Sequence, residues 1–532
     1  MSVFRNGSVA LLVAALSFGA TAATFSWTSA GDILTFDIHA QNENLNSTAC
    51  QAVYESLVRW DRNMKVEPSL AVSWKRVPEG FEFKLRPGVR FHEGEPFTAD
   101  DVVFSYERAL SPKSQFKSHT TGITGVKKID DMTVVVLTKN GSPVLLNQMV
   151  DLRIMSKSWA QKHGALEVQD FINKQEAYVA RHANGTGPFK LKSREVDVKT
   201  VFVANEQWWD QKNRAGNATE VVYMPIKSAA TRTAALLSGQ VDFVLDPATQ
   251  DLKRLAAESN VKVLEGPENR VLMVSLDQFR DESPYIWNDM GEKMKTNPFK
   301  DRRVREALNI AVNRPGLVRG VMRGSAVATG SIVASNVNGW TAQAAAVPAY
   351  DVNRAKELLK QAGYAKGFTF SIDCPNNRWI NDENVCKALS GMWAKIGIKV
   401  NVNAMPRAQF FPKVLTFDSS AGLVGWGAST FDALYPLQSL SATFDKSSGN
   451  GISNIGRVSN AKMDGLLARI RDEEDPVRRN ALIAEALLLD HDEVLHIPLH
   501  EQTIPWAMGK RIDAVHRPDN RLNFDWVRIG EK

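Results

Sequence analysis

Cysteine is scarce in this chain, with three in 532 residues. Three thiols at wide spacing do not make a structural zinc site, which needs more nitrogen or sulfur ligands placed closer together. Long apolar runs are missing too. The N-terminal run, "VALLVAALSFGA" at 9–20, covers 12 residues, too few for a helix that crosses a bilayer core, and no later stretch is longer and comparably apolar. There is no basic run: 65 Lys and Arg are scattered among 59 Asp and Glu for a net charge of +6. That describes a solvated surface rather than the stripe or patch a nucleic-acid partner requires. Catalytic signatures are absent as well. His92-Glu93 lacks the second histidine of HExxH, and neither a G-x-S-x-G elbow nor a phosphate loop occurs. Scattered serines and histidines do not define a triad. The lack of internal repeats and low-complexity blocks excludes solenoids and disorder.

What is present begins with an export signal. Arg5 precedes the apolar run, and Ala20-Thr21-Ala22 is an A-x-A cleavage pattern, so residues 1–22 read as a signal peptide and Ala23 as the mature start. No cysteine stands near the cleavage point, which disfavours a lipid anchor. The expected compartment is a bacterial periplasm, where disulfides persist. Cys374 and Cys386 frame the polar loop "CPNNRWINDENVC". Closing a loop of that size stabilises by about 3 kcal/mol in the chain-entropy model. Cys50 is expected to be a buried free thiol. The length exceeds what one core organises, so two or three lobes are expected.

Helical and extended patterns alternate along the chain. Residues 24–28 read as an opening strand, and "STACQAVYESLVRWD" as a helix with Ala49, Val53 and Leu57 on one face. Phe81, Phe83 and Leu85 alternate up to Pro87-Gly88 and continue through Val89 and Phe91, a hairpin pattern. "TADDVVFSYERAL" starts with capping residues and reads as a helix. Further helices are expected in "DRRVREALNIAVNR", with Asp301 as cap, in "NRAKELLKQAGY", stopped by Gly363, and in "NDENVCKALSGMWAKIG", followed by the alternating strand at Ile398, Val400 and Val402. Interleaved helices and strands predict an α/β architecture.

The ordered pieces "VYESLVRWD", "VEPSLAVSWK", "FKLRPGVRFHEGEPFTADDVVFSYERAL", "GTGPFKL", "ANEQWWD", "LLSGQVDF", "FKDRRVREALNIAVNR", "YDVNRAKELLKQAGY" and "HIPLH" together resemble the family 5 extracellular solute-binding proteins. These are the dipeptide, oligopeptide and nickel type of ABC-importer receptor. The resemblance implies two large α/β lobes that close on a ligand by a hinge, plus a smaller extra domain. It places lobe I at 23–75, 190–285 and 500–532, the small domain at 76–189 and lobe II at 286–499. It also implies a monomer without catalysis or cofactor that captures a peptide or peptide-like solute and docks transiently on a membrane permease.

The resemblance also implies site residues. In peptide-binding members an arginine just before the second-lobe helix anchors the ligand carboxylate, and Arg378 falls at that place, with the Cys374–Cys386 bridge limiting its wandering. "LVGWGASTFDALYPL" is similar to the segment in which a tryptophan precedes a ligand-contacting loop, here Trp426. Peptide binders carry an aspartate three residues later that pairs with the ligand ammonium. Here that residue is Ser429, and Asp432 lies three further on. Either Asp432 takes over the role or the ligand lacks a free α-amine. The amide-rich stretch "FDIHAQNENLNS" offers Asn42 and Asn44 for a ligand backbone. The alternatives are a receptor for a metal chelate or opine-like solute and, further off, a secreted hydrolase. His491, His496 and His500 do not match a compact metal motif, so no metal site is expected.

Overall fold

The computed structural model describes residues 23–531 apart from 118, 140–142, 172, 174 and 175. The signal-peptide reading of 1–22 lies outside the described residues. The elements that organise the site are, in chain order, strand β1 (Thr24–Ser29), helices α1 (Asn44–Val53) and α2 (Ala99–Leu110), strands β2 (Val261–Leu276) and β3 (Thr369–Pro375), helices α3 (Asp382–Ala394) and α4 (Arg407–Leu415), and strands β4 (Ala421–Gly427) and β5 (Ile497–Gly509).

One 12-stranded sheet runs through both lobes, because β2 and β5 pair antiparallel along most of their length. From Val261↔Gly509 to Pro267↔Thr503 the pair belongs to lobe I. From Val271↔Glu501 to Val274↔Ile497 it belongs to lobe II, where β2 also pairs with β4. The register shifts between Pro267 and Val271. Proline has no N–H for the ladder, so the break falls where the chain crosses between lobes. Glu268 bridges the crossing, accepting from Gln502 at 2.6 Å and from Arg270 at 2.9 Å. Leu272, Val274 and Leu276 pack into a lobe II core with Phe370 and Trp393. Residues 271–276 therefore pack with lobe II, ahead of the limit at 285 expected from sequence.

In lobe I, Trp27 of β1 packs its ring against Tyr223 at 4.4 Å and Phe524 at 5.6 Å. Three distant segments thus build one core. The small domain has its own four-stranded sheet, with spatial order Ala71–Val77, Gly80–Leu85, Thr133–Thr138, Ile123–Asp130. Its core includes Phe83, Val102, Tyr106 and Val134. The Thr98–Asp101 capping box starts α2 as the sequence indicates.

Two local readings are corrected. The strand Gly80–Leu85 does not turn back at Pro87-Gly88. It pairs instead with the preceding strand and with Thr133–Thr138. The actual hairpin turns between Val77 and Gly80, and Gly80 also approaches Thr133–Thr138 closely, since a Cβ there would lie 2.0 Å from the Val136 carbonyl oxygen. The helix expected through Leu57 ends at Val53, with Tyr54 extended. Glu55 just beyond is held by Trp208 Nε1, Trp209 Nε1 and Thr186 Oγ1 at 2.8–3.1 Å, and Val58–Trp60 becomes a strand.

Candidate functional site

A cleft of about 790 Å³ opens between the lobes, lined by Asn42, Glu43 and Asn44 on one side and by Arg378, Trp426 and Ser429 on the other. Arg378 stands in the loop between β3 and α3, and that loop is fixed at both ends. Cys374 and Cys386 are bridged, joining the end of β3 to the first turns of α3. The backbone N–H groups of Arg378 and Trp379 donate to the Asp382 carboxylate at 2.9 and 3.0 Å. Cys50 is free and buried, and burial pushes its thiol up to about 12.

Among the described residues four arginines line the cleft against one carboxylate, Glu43. Three of the four have acidic partners: Arg270 holds Glu268 at 2.9 Å, Arg407 faces Glu43 at 3.6 Å across the cleft, and Arg521 grips both oxygens of Asp151. Arg378 is different. Among the described residues its guanidinium makes no ion pair and no hydrogen bond; it lies 5.7 Å from the ring of its neighbour Trp379. Burial, reinforced by the charges of Arg270 and Arg407, pushes its pKa down to about 10 despite Glu43 and Glu268. A cation in that position is stabilised by any anion that enters.

The apolar walls come from Trp379, Phe410, Phe411, Trp426 and Tyr435. Gly425 of β4 lets Trp379 lie flat on the strand, since a Cβ there would meet the indole at 2.5 Å. Trp426 packs on Tyr435 at 5.5 Å. The indole N–H groups of Trp379 and Trp426 are buried without a hydrogen-bond partner, so the walls hold two unsatisfied donors.

Ser429 lines the cleft, and its Oγ lies 3.3 Å from His119 Nε2 of the small domain. Asp151 Oδ2 lies 3.5 Å from that same nitrogen. In a Ser-His-Asp relay the acid holds the other ring nitrogen; with both contacts at Nε2, this trio does not form that relay.

Asp432 does not line the cleft. Its carboxylate receives two bonds of 2.7 Å from Arg479 and one of 2.8 Å from Asn338, and it caps the Leu434 N–H. A buried acid so engaged has no free oxygen for an ammonium, which corrects the expectation that it replaces the missing aspartate. Asn42 sits exposed on the rim. Asn44 is the first helical residue of α1 rather than a loop residue, and its amide bonds the Asn520 carbonyl at 3.0 Å and Arg521 at 3.2 Å. The histidines lie apart from the cleft: His496 Nδ1 bonds Asp490 at 3.0 Å, and burial pushes His500 down to about 4. Among the described residues no group of three or more His, Cys, Asp or Glu is placed to hold a metal ion. Sequence reasoning missed Arg270, Arg407 and Arg521, which lie on three separate segments with no shared spacing. Trp379 adjoins Arg378 and was the one legible addition.

Comparison with known proteins follows the same lines. Residues 65–448 match the bacterial extracellular solute-binding proteins, family 5. The chain belongs to this family. It is 28% identical over 489 residues to heme-binding protein A of Haemophilus influenzae, covering 85% of this chain and 82% of that one. It is 26% identical over 542 residues to the glutathione-binding protein GsiB of Shigella flexneri, covering 98% of each. The fold matches the periplasmic binding protein DppA of Helicobacter pylori, in complex with the peptide STSA, at TM-score 0.79 and 22% identity over 96% of this chain and 98% of that one. The family consists of binding proteins, so this chain is a solute-binding receptor of the ABC-importer type, with the two-lobed α/β architecture expected from its sequence.

Proposed function

We propose that the chain is exported to the periplasm, works as a monomer, captures a peptide or peptide-like solute with an acidic end in the interlobe cleft, and hands it to a membrane permease. The observation that carries this reading is Arg378, the cleft arginine whose guanidinium makes no ion pair and no hydrogen bond among the described residues. A guanidinium offers a carboxylate two parallel N–H bonds, and the bridged loop limits how far it wanders, so little order is lost on binding. Trp426 and Trp379 would pack on the ligand. The contact between the lobes at Glu43–Arg407 and that between lobe II and the small domain at Ser429–His119 fit a cleft that closes on its cargo.

A non-peptide solute rich in acidic groups is the second reading, favoured by four cleft arginines against one carboxylate. Mass spectrometry of ligand released from protein purified without refolding separates the two. A peptide or peptide conjugate is expected; an acid with no amide bond would favour the second reading. Small-angle scattering should show a smaller radius of gyration with ligand than without, and an unchanged radius at saturation would contradict hinge closure.

A further inference from the structure

The end of the cleft at Ser429 carries information about the ligand's other group, and it comes from the placement of two hydrogens. Asp151 is buried and gripped by Arg521 through both oxygens, and Arg153 adds a third bond at 3.2 Å. Held by two guanidinium groups, it is an ionised acid that only accepts hydrogen bonds. His119 is buried against it, with Nε2 3.5 Å from Asp151 Oδ2. A bare imidazole lone pair facing a carboxylate is repulsive, so Nε2 carries a hydrogen. That same nitrogen faces Ser429 Oγ at 3.3 Å. A protonated nitrogen cannot accept, so the serine does not donate to it and the hydroxyl hydrogen points elsewhere. No other hydrogen bond of that hydroxyl is made among the described residues, and Ser429 lines the cleft.

We infer that Ser429, oriented by His119 and Asp151, presents a hydroxyl donor to the ligand, so that the group bound there is a carbonyl or carboxylate oxygen rather than an ammonium. This rests on reading the cleft as the ligand site. It agrees with Arg378, also a donor, whose guanidinium makes no ion pair or hydrogen bond among the described residues. Glu43, the one lining carboxylate, faces Arg407. An ammonium would enter among four guanidinium groups with no free acid to meet it; an acceptor meets donors at both ends. His119 and Asp151 act as positioning residues and need not touch the ligand.

Two measurements test this. The first needs no ligand. In ¹⁵N-histidine-labelled protein, the imidazole signal lost in His119→Gln should show a protonated Nε2. A bare Nε2 would overturn the assignment. The second compares matched probes by calorimetry: N-acetyl-Ala-Ala against Ala-Ala, and glutarate against 5-aminovalerate. The amine-free member of each pair should bind at least threefold more tightly. Ser429→Ala should abolish that preference, and Ser429→Thr should restore it. Tighter binding of the amine-bearing member of either pair, or a preference unchanged in Ser429→Ala, would overturn the inference. If neither peptide binds while glutarate outcompetes 5-aminovalerate, the peptide reading fails and the donor assignment stands. If no probe binds, the peptide reading fails and the imidazole signal decides the assignment.

Discussion

Two loops of lobe II, 374–386 and 426–435, treat their charged residue in opposite ways. In the first, a disulfide and the Asp382 carboxylate fix the backbone, and the Arg378 guanidinium is left in the cleft with no ion pair or hydrogen bond among the described residues. In the second, Asp432 is the charged residue, and Arg479 and Asn338 take up its oxygens away from the cleft. The first loop uses its bonds to aim a charge, the second uses its charge to hold the fold. A candidate site residue is thus better judged by whether its charge is already matched than by its distance from a motif.

The largest effect should come from breaking the second loop. Arg479→Ala leaves the Asp432 carboxylate buried and unpaired, which costs roughly 3–5 kcal/mol of stability. Chemical denaturation should show it, and a change below about 0.5 kcal/mol would mean the ion pair does not hold the loop. Next comes the scaffold of the first. Replacing Cys374 and Cys386 together by serine should cost about 3 kcal/mol of stability in the chain-entropy model and weaken ligand binding as Arg378 is freed to wander. Unchanged affinity would show that the bridge stabilises without positioning.

A third carboxylate sharpens the contrast. Glu55 is buried like Asp432, but neutral donors, Trp208, Trp209 and Thr186, hold it. Burial outweighs them and lifts its pKa to about 7, above the unfolded value of about 4.3. The folded chain then keeps a proton that the unfolded chain has lost. The stability this gives is full below the unfolded pKa and is lost as pH rises toward 7. Relative to Glu55→Gln, the wild-type melting temperature should fall between pH 4.5 and 7.5, on the order of a few degrees. Tryptophan fluorescence should titrate over the same range and should not do so in the variant. A difference independent of pH would mean that Glu55 is ionised throughout.

Much of the frame was legible because it rests on local signals. The Thr98–Asp101 box, the Asp301 cap and Gly363 mark helix ends by their own hydrogen bonds and backbone angles, and the structure follows them. The hairpin at Pro87-Gly88 was misread because alternation shows that a strand exists without showing its partner; the turn between Val77 and Gly80 and the pairing with Thr133–Thr138 decide that. The disulfide was legible from two cysteines in a chain whose sequence reads as exported. Asp432 was misjudged because its partner, Arg479, is 47 residues away. Arg270, Arg407 and Arg521 were missed for the same reason: only the closing of two lobes brings them together. Ser429 was legible as a departure from the family, but its meaning depended on His119, from another domain.

The most direct test of the account is calorimetry with the ligand recovered from natively purified protein, titrated into wild type, Arg378→Ala and Arg378→Lys. Arg378→Ala should fold with stability close to wild type, since among the described residues the guanidinium has no ion pair or hydrogen bond to lose, yet bind more weakly by roughly 2–5 kcal/mol. Arg378→Lys should recover only part of that, because an ammonium cannot reproduce the two-pronged fork. Wild-type affinity in Arg378→Ala would contradict the central claim, leaving the bridged loop a role in stability alone.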